Sequence, residues 1–536
     1  MRRLLAILVV TAVVAAGCSA DTGPTTTGAA GTSTTGTQDG SSTTTTSTIP
    51  VNPWNPSVDR TAVGKPWGDT VEGLLTFRGN PTNTFHGTGP VPTDPVVRWT
   101  YPKGTDTLCG WSTDLGRTSS WCGNGWTGQP AIWVRPDGVT ELMVGAYDHY
   151  FHFLDVATGE PTRTRIPTGD IVKGSPTIDP DGYPLVYFGS RDDKLRIAAL
   201  DRPQPEVIWD VELCLPEGAV SATEPKSCPP AGDRVFIEGR WNDDWDAAPR
   251  VVDDILYASA ENSFFYIWKL NRGYDAAGRV TVAPELLVKV PTWDDELLAL
   301  VQEGCDIGVR CDSTSVESTP VFFEDRVYFG NSAGRVMGLD ISRVEEGIAP
   351  VVFDYWVGDD VDGSIVVDEE GMLYVPVEWK RFNDRGRKLG QLVKLDPYTA
   401  GDPYVWGMYS ITDPPDQGGL WSTPALGDGV VYVTTAKGFA VAVDRETGEE
   451  LWFHELKTQR WREAWSSPVL VDDTLLVASR EGILWAFDVT DPRRPEELWS
   501  LRVGDARLLA TPAVWDGSIY LWSTDGRLYA LGQRGG

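Results

Sequence analysis

The chain has 536 residues, 41% of them hydrophobic and 23 of them Trp, with 76 acidic against 46 basic residues and a formal net charge of −30 at pH 7. That much apolar side chain supplies a large core and excludes global disorder, while the acidic balance repels nucleic acid and suits cations or basic partners. At the N-terminus Arg2 and Arg3 precede an apolar run from Leu4 to Ala16. The run is too short to span a bilayer comfortably and has the order of an export signal.

The sequence Ala15-Ala16-Gly17-Cys18 resembles the lipobox of bacterial lipoproteins, in which the Cys is lipidated and becomes the mature N-terminus. The resemblance implies a signal peptide over 1–17 and a lipid anchor at Cys18. Such an anchor places the exported protein on a membrane facing outward, in a periplasm or at the cell surface. Residues 19–50 hold 13 Thr and 5 Ser and almost nothing apolar, so 18–52 is expected to be a flexible tether. A coil of that length has a mean span of about 30 Å. A lead-in segment, 53–94, is expected to pack on the body that follows.

From 95 onward one unit recurs. "WSTPALGDGVVYVTTAKGFAVAVDRETGEELW" (421–452) aligns with 465–489 and 509–532, and five weaker copies lie upstream. The anchor prolines are spaced 44 residues apart from Pro424 to Pro468 and from Pro468 to Pro512, and 46 from Pro130 to Pro176. Ile365 stands in the anchor position of the fifth copy. Each unit reads as three short β-rich runs with Gly/Asp turns, then an outer strand that often bears Trp. Four strands per unit at this period are the signature of a propeller blade. Outer strands can be counted separately: seven follow the blades, and "PVVRWTYP" (95–102) precedes them with the same signature. The expectation is an all-β, eight-bladed β-propeller of four-stranded antiparallel blades over 95–536. Its ring is closed by the N-terminal strand, which leaves no exposed sheet edge.

Six cysteines remain after Cys18, in the close pairs Cys109/Cys122, Cys214/Cys228 and Cys305/Cys311. An even count in an exported chain predicts local disulfides that staple the insertions. With no CxxC and only four His, a metal reading of these cysteines has little support.

The signature A-x-D-x-x-T-G-x-x-x-W is matched in full by Ala442, Asp444, Thr447, Gly448 and Trp452. It resembles the repeat of the pyrroloquinoline quinone (PQQ)-type propellers, and "TFRGNPTNTFHGTGP" (76–90) resembles their opening segment. The resemblance implies that Trp99, Trp209, Trp406, Trp452 and Trp499 dock between neighbouring blades. Two activities share this fold: quinoprotein dehydrogenases, and a lipid-anchored scaffold of outer-membrane protein assembly that has no cofactor. The dehydrogenases typically carry a vicinal Cys-Cys, and some a CxxCH; neither occurs in this sequence.

Other motif matches fail on context. "GNSAG" (330–334) has the spacing of a hydrolase nucleophile elbow but sits between two predicted strands, where that motif needs a strand-to-helix turn. "GNGWTG" (123–128) precedes a strand instead of the helix a dinucleotide site requires. His149 and His152 fall on opposite faces of a strand. "DDVDGSIVVDEE" (359–370) would put Gly358 at the first ligand position of a calcium loop.

Propeller ligands enter at the channel mouth, near the start of each innermost strand. The position three before each anchor gives Thr127, Lys173, Asp246, Glu317, Asp362, Trp421, Trp465 and Leu509. Asp246, Glu317 and Asp362 are candidate ligands for a shared hard cation such as Ca²⁺, and the two Trp are candidate stacking surfaces. The expected role is binding or scaffolding at the cell envelope, without a cofactor, toward a protein or glycan partner and not nucleic acid. The alternatives are a PQQ- and Ca²⁺-dependent dehydrogenase and a carbohydrate-binding propeller.

Overall fold

Runs of β-branched and aromatic residues broken every few positions by Gly or Asp carry no helical period and pair with the next run instead. The computed structural model describes residues 55, 57–114, 117–125, 128–213, 244–303, 313–410, 418–456 and 464–535, and orders these runs as eight blade sheets of four or five strands met in chain order, with three two-stranded ribbons beside them. Blade 6 has the basic form: Ala425–Gly427, Val430–Thr434, Phe439–Asp444 and Glu450–Glu455, each antiparallel to the next. Blade 8 ends with its third strand, Arg527–Gln533, and Pro95–Tyr101 pairs antiparallel along it. The ring is therefore an eight-bladed propeller closed by an N-terminal strand. The middle strands are buried on both faces because each blade is covered by its neighbours. Phe151 of blade 1 stacks on Phe188 of blade 2, and Phe265 of blade 3 on Phe329 of blade 4, each pair at 4.2 Å.

The repeat signature has a local cause. Asp444 accepts hydrogen bonds from the backbone N–H of Glu446 and Thr447, both at 3.0 Å, and from the Thr447 hydroxyl at 3.1 Å. Gly448 then turns the chain at φ +77°, which only glycine adopts freely. The bare face of Gly448 seats the indole of Trp406 from the preceding blade, since a Cβ there would lie 2.7 Å from the ring. Trp406 donates through Nε1 to the Arg445 carbonyl at 3.2 Å. Asp155 and Gly159 of blade 1 repeat this arrangement for Trp99 of the closing strand. Trp209 packs on Trp268 of blade 3 at 5.9 Å, and Trp452 on Phe487 of blade 7 at 5.2 Å. Trp499 donates to the Pro92 carbonyl at 2.8 Å.

The lead-in residues 73–88 close one end of the central channel. Gly73–Leu74 adds to the inner edge of blade 1, and Gly87–Thr88 runs parallel to the inner strand of blade 8. Between them, the buried Arg78 side chain donates to the carbonyls of Pro424 and Pro468, in blades 6 and 7. Arg250 of blade 3 reaches back to Thr76, Asn83 and the Phe77 carbonyl. Blades 2, 4 and 5 bind the segment through Ile178, Phe322 and Val367, whose N–H groups donate to the carbonyls of Leu75, Pro81 and Thr82. One short segment thus touches every blade.

Cys109 and Cys122 form a disulfide across the hairpin of Cys109–Asp114 and Arg117–Cys122. Cys18, the tether, Cys214, Cys228, Cys305 and Cys311 lie outside the described residues. Among the described residues no helix is long and apolar enough to cross a membrane.

Candidate functional site

The residue just before the anchor is polar in every blade but blade 3, where Ala248 stands, and these residues form a belt at the inner wall. Backbone N–H groups donate from blade to blade: Thr319 to the Ser364 hydroxyl at 2.9 Å, Ser364 to Thr423 at 3.0 Å and Thr423 to Ser467 at 3.0 Å. Two residues earlier in each blade stand the positions named from sequence. Thr127 lies outside the described residues.

Lys173 of blade 2 reaches into blade 3. Its ammonium contacts Asp246, and it stands 3.5 Å from Asp244 and 3.6 Å from Glu261. Burial pulls its pKa down; Asp246, Glu261 and Asp244 outweigh that and raise it well above the ordinary lysine value. Asp244 is fully buried, with Arg191 Nε at 3.1 Å. Burial pushes its carboxyl well up, against the pull of Arg191.

Blade 5 builds a second centre of the same kind. Lys380 lies 2.6 Å from Asp360, 3.3 Å from Asp362 and 3.4 Å from Glu378. Asp362 is held down to about 2: the nearby Lys380 charge and hydrogen bonds from Asp360 and Ser332 override its burial. Asp360 and Glu378 are pushed well up, by burial first. Glu317 of blade 4 stands between the two centres and accepts from the Ser315 hydroxyl at 3.2 Å. Burial, then the charges of Asp362 and Glu261, raise it well above the ordinary range. Ser332 donates to Asp362 at 3.0 Å; it occupies a hairpin between the strands Arg326–Gly330 and Arg335–Asp340.

The other side of the mouth is aromatic. Trp421 and Trp465 stack face to face at 4.2 Å with an interplanar angle of 17°. Arg480 lies 4.3 Å over the Trp465 ring, and Lys380 lies 5.9 Å from that of Trp421.

The three carboxylates named from sequence are therefore distributed, not pooled. Among the described residues, those close enough to share an ion are Asp244, Asp246 and Glu261, and separately Asp360, Asp362 and Glu378; Glu317 joins neither. Each group already contains a lysine ammonium. Asp244, Asp360, Glu261, Glu378 and Lys380 were not reached by the three-before-anchor rule. A second signal was available: blades 3 and 5 both carry Asp-x-Asp ending three residues before the anchor ("DWD", "DVD"), with a Glu just after the second strand.

A family model described as outer membrane protein assembly factor BamB matches residues 388–536, the last blades of the ring. The chain is a PQQ-like β-propeller. Solved structures similar to it include the following two. The crystal structure of BamB from Moraxella catarrhalis has a TM-score of 0.48 and 16% identity, covering 73% of this chain and 93% of that one. The computationally designed Ika8 protein also has a TM-score of 0.48, with 11% identity, covering 78% of this chain and 100% of that one. No curated protein matches this PQQ-like propeller.

Proposed function

We propose that this propeller is a lipid-tethered, extracytoplasmic binding or scaffolding protein of the cell envelope, and that it presents the mouth of its channel to a protein partner. The family match over 388–536 supports an assembly role at an envelope. The observation that carries the reading is the state of the mouth. Both carboxylate groups hold Lys173 or Lys380 where a cation would sit. The indoles of Trp421 and Trp465 are closed on each other at 4.2 Å, with no gap for a quinone between them. Among the described residues, these side chains as arranged do not fit a Ca²⁺–PQQ centre. The described part of the mouth is instead an internally paired polar surface beside an aromatic one, which suits recognition.

Titration calorimetry with Ca²⁺, with and without PQQ, tests this. Wild type is expected to give no saturable heat, and Lys380→Ala is expected to gain divalent-ion binding once its ammonium is gone. Ca²⁺-dependent PQQ binding by wild type, lost in Asp246→Ala or Glu317→Ala, would make the protein a quinoprotein and end the scaffold reading. The anchor is tested by fractionation: Cys18→Ala should move the protein from membranes to the soluble fraction, and a wild type already soluble would exclude the tether.

A further inference from the structure

Blade 1 breaks the symmetry of the ring. In the other seven blades the outer strand carries a bulge, and the residue after it turns onto the next blade. These residues are Trp209, Val288, Phe353, Trp406, Trp452, Trp499 and Trp99. In each case the residue two before it pairs with the third strand; in blade 6, Glu450 pairs with Val443 and Trp452 with Ala442. In blade 1 Leu154 bridges Pro161, which puts Arg163 in the docking position. Arg163 does reach blade 2, donating through Nη1 to the Leu200 carbonyl at 2.6 Å. Its Nε donates to the buried Glu141 carboxylate at 2.9 and 3.1 Å. A guanidinium on a thin stem fills less space than an indole, and the chain rejoins the sheet only at Ile166–Pro167.

The space left is a cavity of about 520 Å³. Tyr101, Phe153 and Pro203 supply apolar walls, and Arg163, Arg165 and Gln204 supply polar ones. No Asp or Glu lines it, although the chain has 76 acids to 46 bases. The counter-charges are set behind the wall. Asp148 accepts from Arg165 Nη1 at 3.0 Å and holds His152 at 2.9 Å, and His152 in turn meets the Tyr101 hydroxyl at 3.1 Å. Arg165 is clamped flat, its guanidinium 3.6 Å over the Tyr150 ring, yet its side chain is 46% exposed. The contacts of the two arginines among the described residues leave Nη2 of each uncommitted. Two paired guanidinium edges beside a slot that six of the other seven blades fill with a ring (blade 3 uses Val288) form a receptor for an oxyanion on a flat body.

We propose that this cavity binds a compact planar anion, an aromatic ring bearing a carboxylate or a phosphate. The proposal stands apart from the mouth and from the scaffold reading. Titration calorimetry on the purified full-length chain with benzoate, phenyl phosphate, inorganic phosphate and benzyl alcohol tests it. The aromatic anions are expected to bind saturably and more tightly than inorganic phosphate, with no saturable binding of benzyl alcohol; the stronger of the two anions identifies the head group. Arg165→Gln should weaken that binding at least tenfold at an unchanged melting temperature, and the surface control Arg343→Gln should leave it as in wild type. Absence of saturable anion binding, equal binding of benzyl alcohol, or unchanged affinity in Arg165→Gln would overturn the proposal.

Discussion

Gly448 and Gly429 are both glycines with positive φ, +77° and +66°, but only Gly448 faces an indole; nothing lies within 4 Å of a Cβ built on Gly429. Gly429→Ala should cost only the left-handed backbone penalty, about 1–2 kcal/mol. Gly448→Ala must also push Trp406 off its seat, so it should melt lower than Gly429→Ala and shift tryptophan emission; equal melting temperatures would mean the seat carries no weight. Glu317 offers a test of sign. A carboxyl whose folded-state pKa stands above its unfolded value of about 4.3 contributes most below that value, and that contribution is lost as pH rises through the folded pKa. Burial and the neighbouring charges raise Glu317 in this way. Glu317→Gln should therefore melt higher than wild type near pH 8, with the advantage gone by about pH 4. A constant offset across that range would refute the assignment. Asp246, Glu317, Asp362 and the Trp pair were legible because repeat alignment fixes which residues share a level of the channel. Their partition into two lysine-centred groups was not legible, because it depends on how far Lys173 and Lys380 reach between strands.

The strand pattern was readable in nearly every blade because each outer strand alternates polar and apolar residues and ends in a turn of defined chemistry. "PEVIWDVE" forms Glu206–Glu212 and "PEELWSLRV" forms Glu496–Arg502. "PTRTRIP" (161–167) holds the same place after blade 1, yet only Pro161, by a single bridge to Leu154, and Ile166–Pro167 pair. Two arginines and two threonines fill 162–165 and leave no apolar residue there to hold the strand down, and Arg163 follows Glu141 instead of the pleat. The bulge before each docking residue has no sequence mark of its own; it arises because the outer strand must twist to aim one side chain at the next blade. Trp406, buried between blades 5 and 6, measures what that aim is worth. Trp406→Ala should cost about 3–5 kcal/mol, in the range of large core truncations, read from denaturant midpoints at constant m-value. A cost under about 1 kcal/mol would show that the blades hold together without the indole.

Two devices hold the ring as a whole, and they act differently. Pro95–Tyr101 completes blade 8 by covering the edge of Arg527–Gln533, so that blade 8 ends in an outer strand as the other blades do. Residues 73–88 bind every blade from inside the channel, with Arg78 and Arg250 as their charged ties. Truncating the N-terminus would remove both together, so the two must be cut separately. Replacing residues 95–101 by a Gly/Ser linker of equal length keeps the plug but leaves the edge of blade 8 bare and loses the Trp99 seat on Gly159. That variant should melt lower and aggregate with rising concentration, because an open edge recruits other chains. Arg78→Met keeps the ring closed but leaves the Pro424 and Pro468 carbonyls without their donor, at about 1–3 kcal/mol for each buried acceptor. It should melt lower and stay monomeric. Sedimentation and thermal melts on the two variants separate the roles. A linker variant that stays monomeric at the wild-type melting temperature would mean that the plug, not the closing strand, holds the first and last blades together.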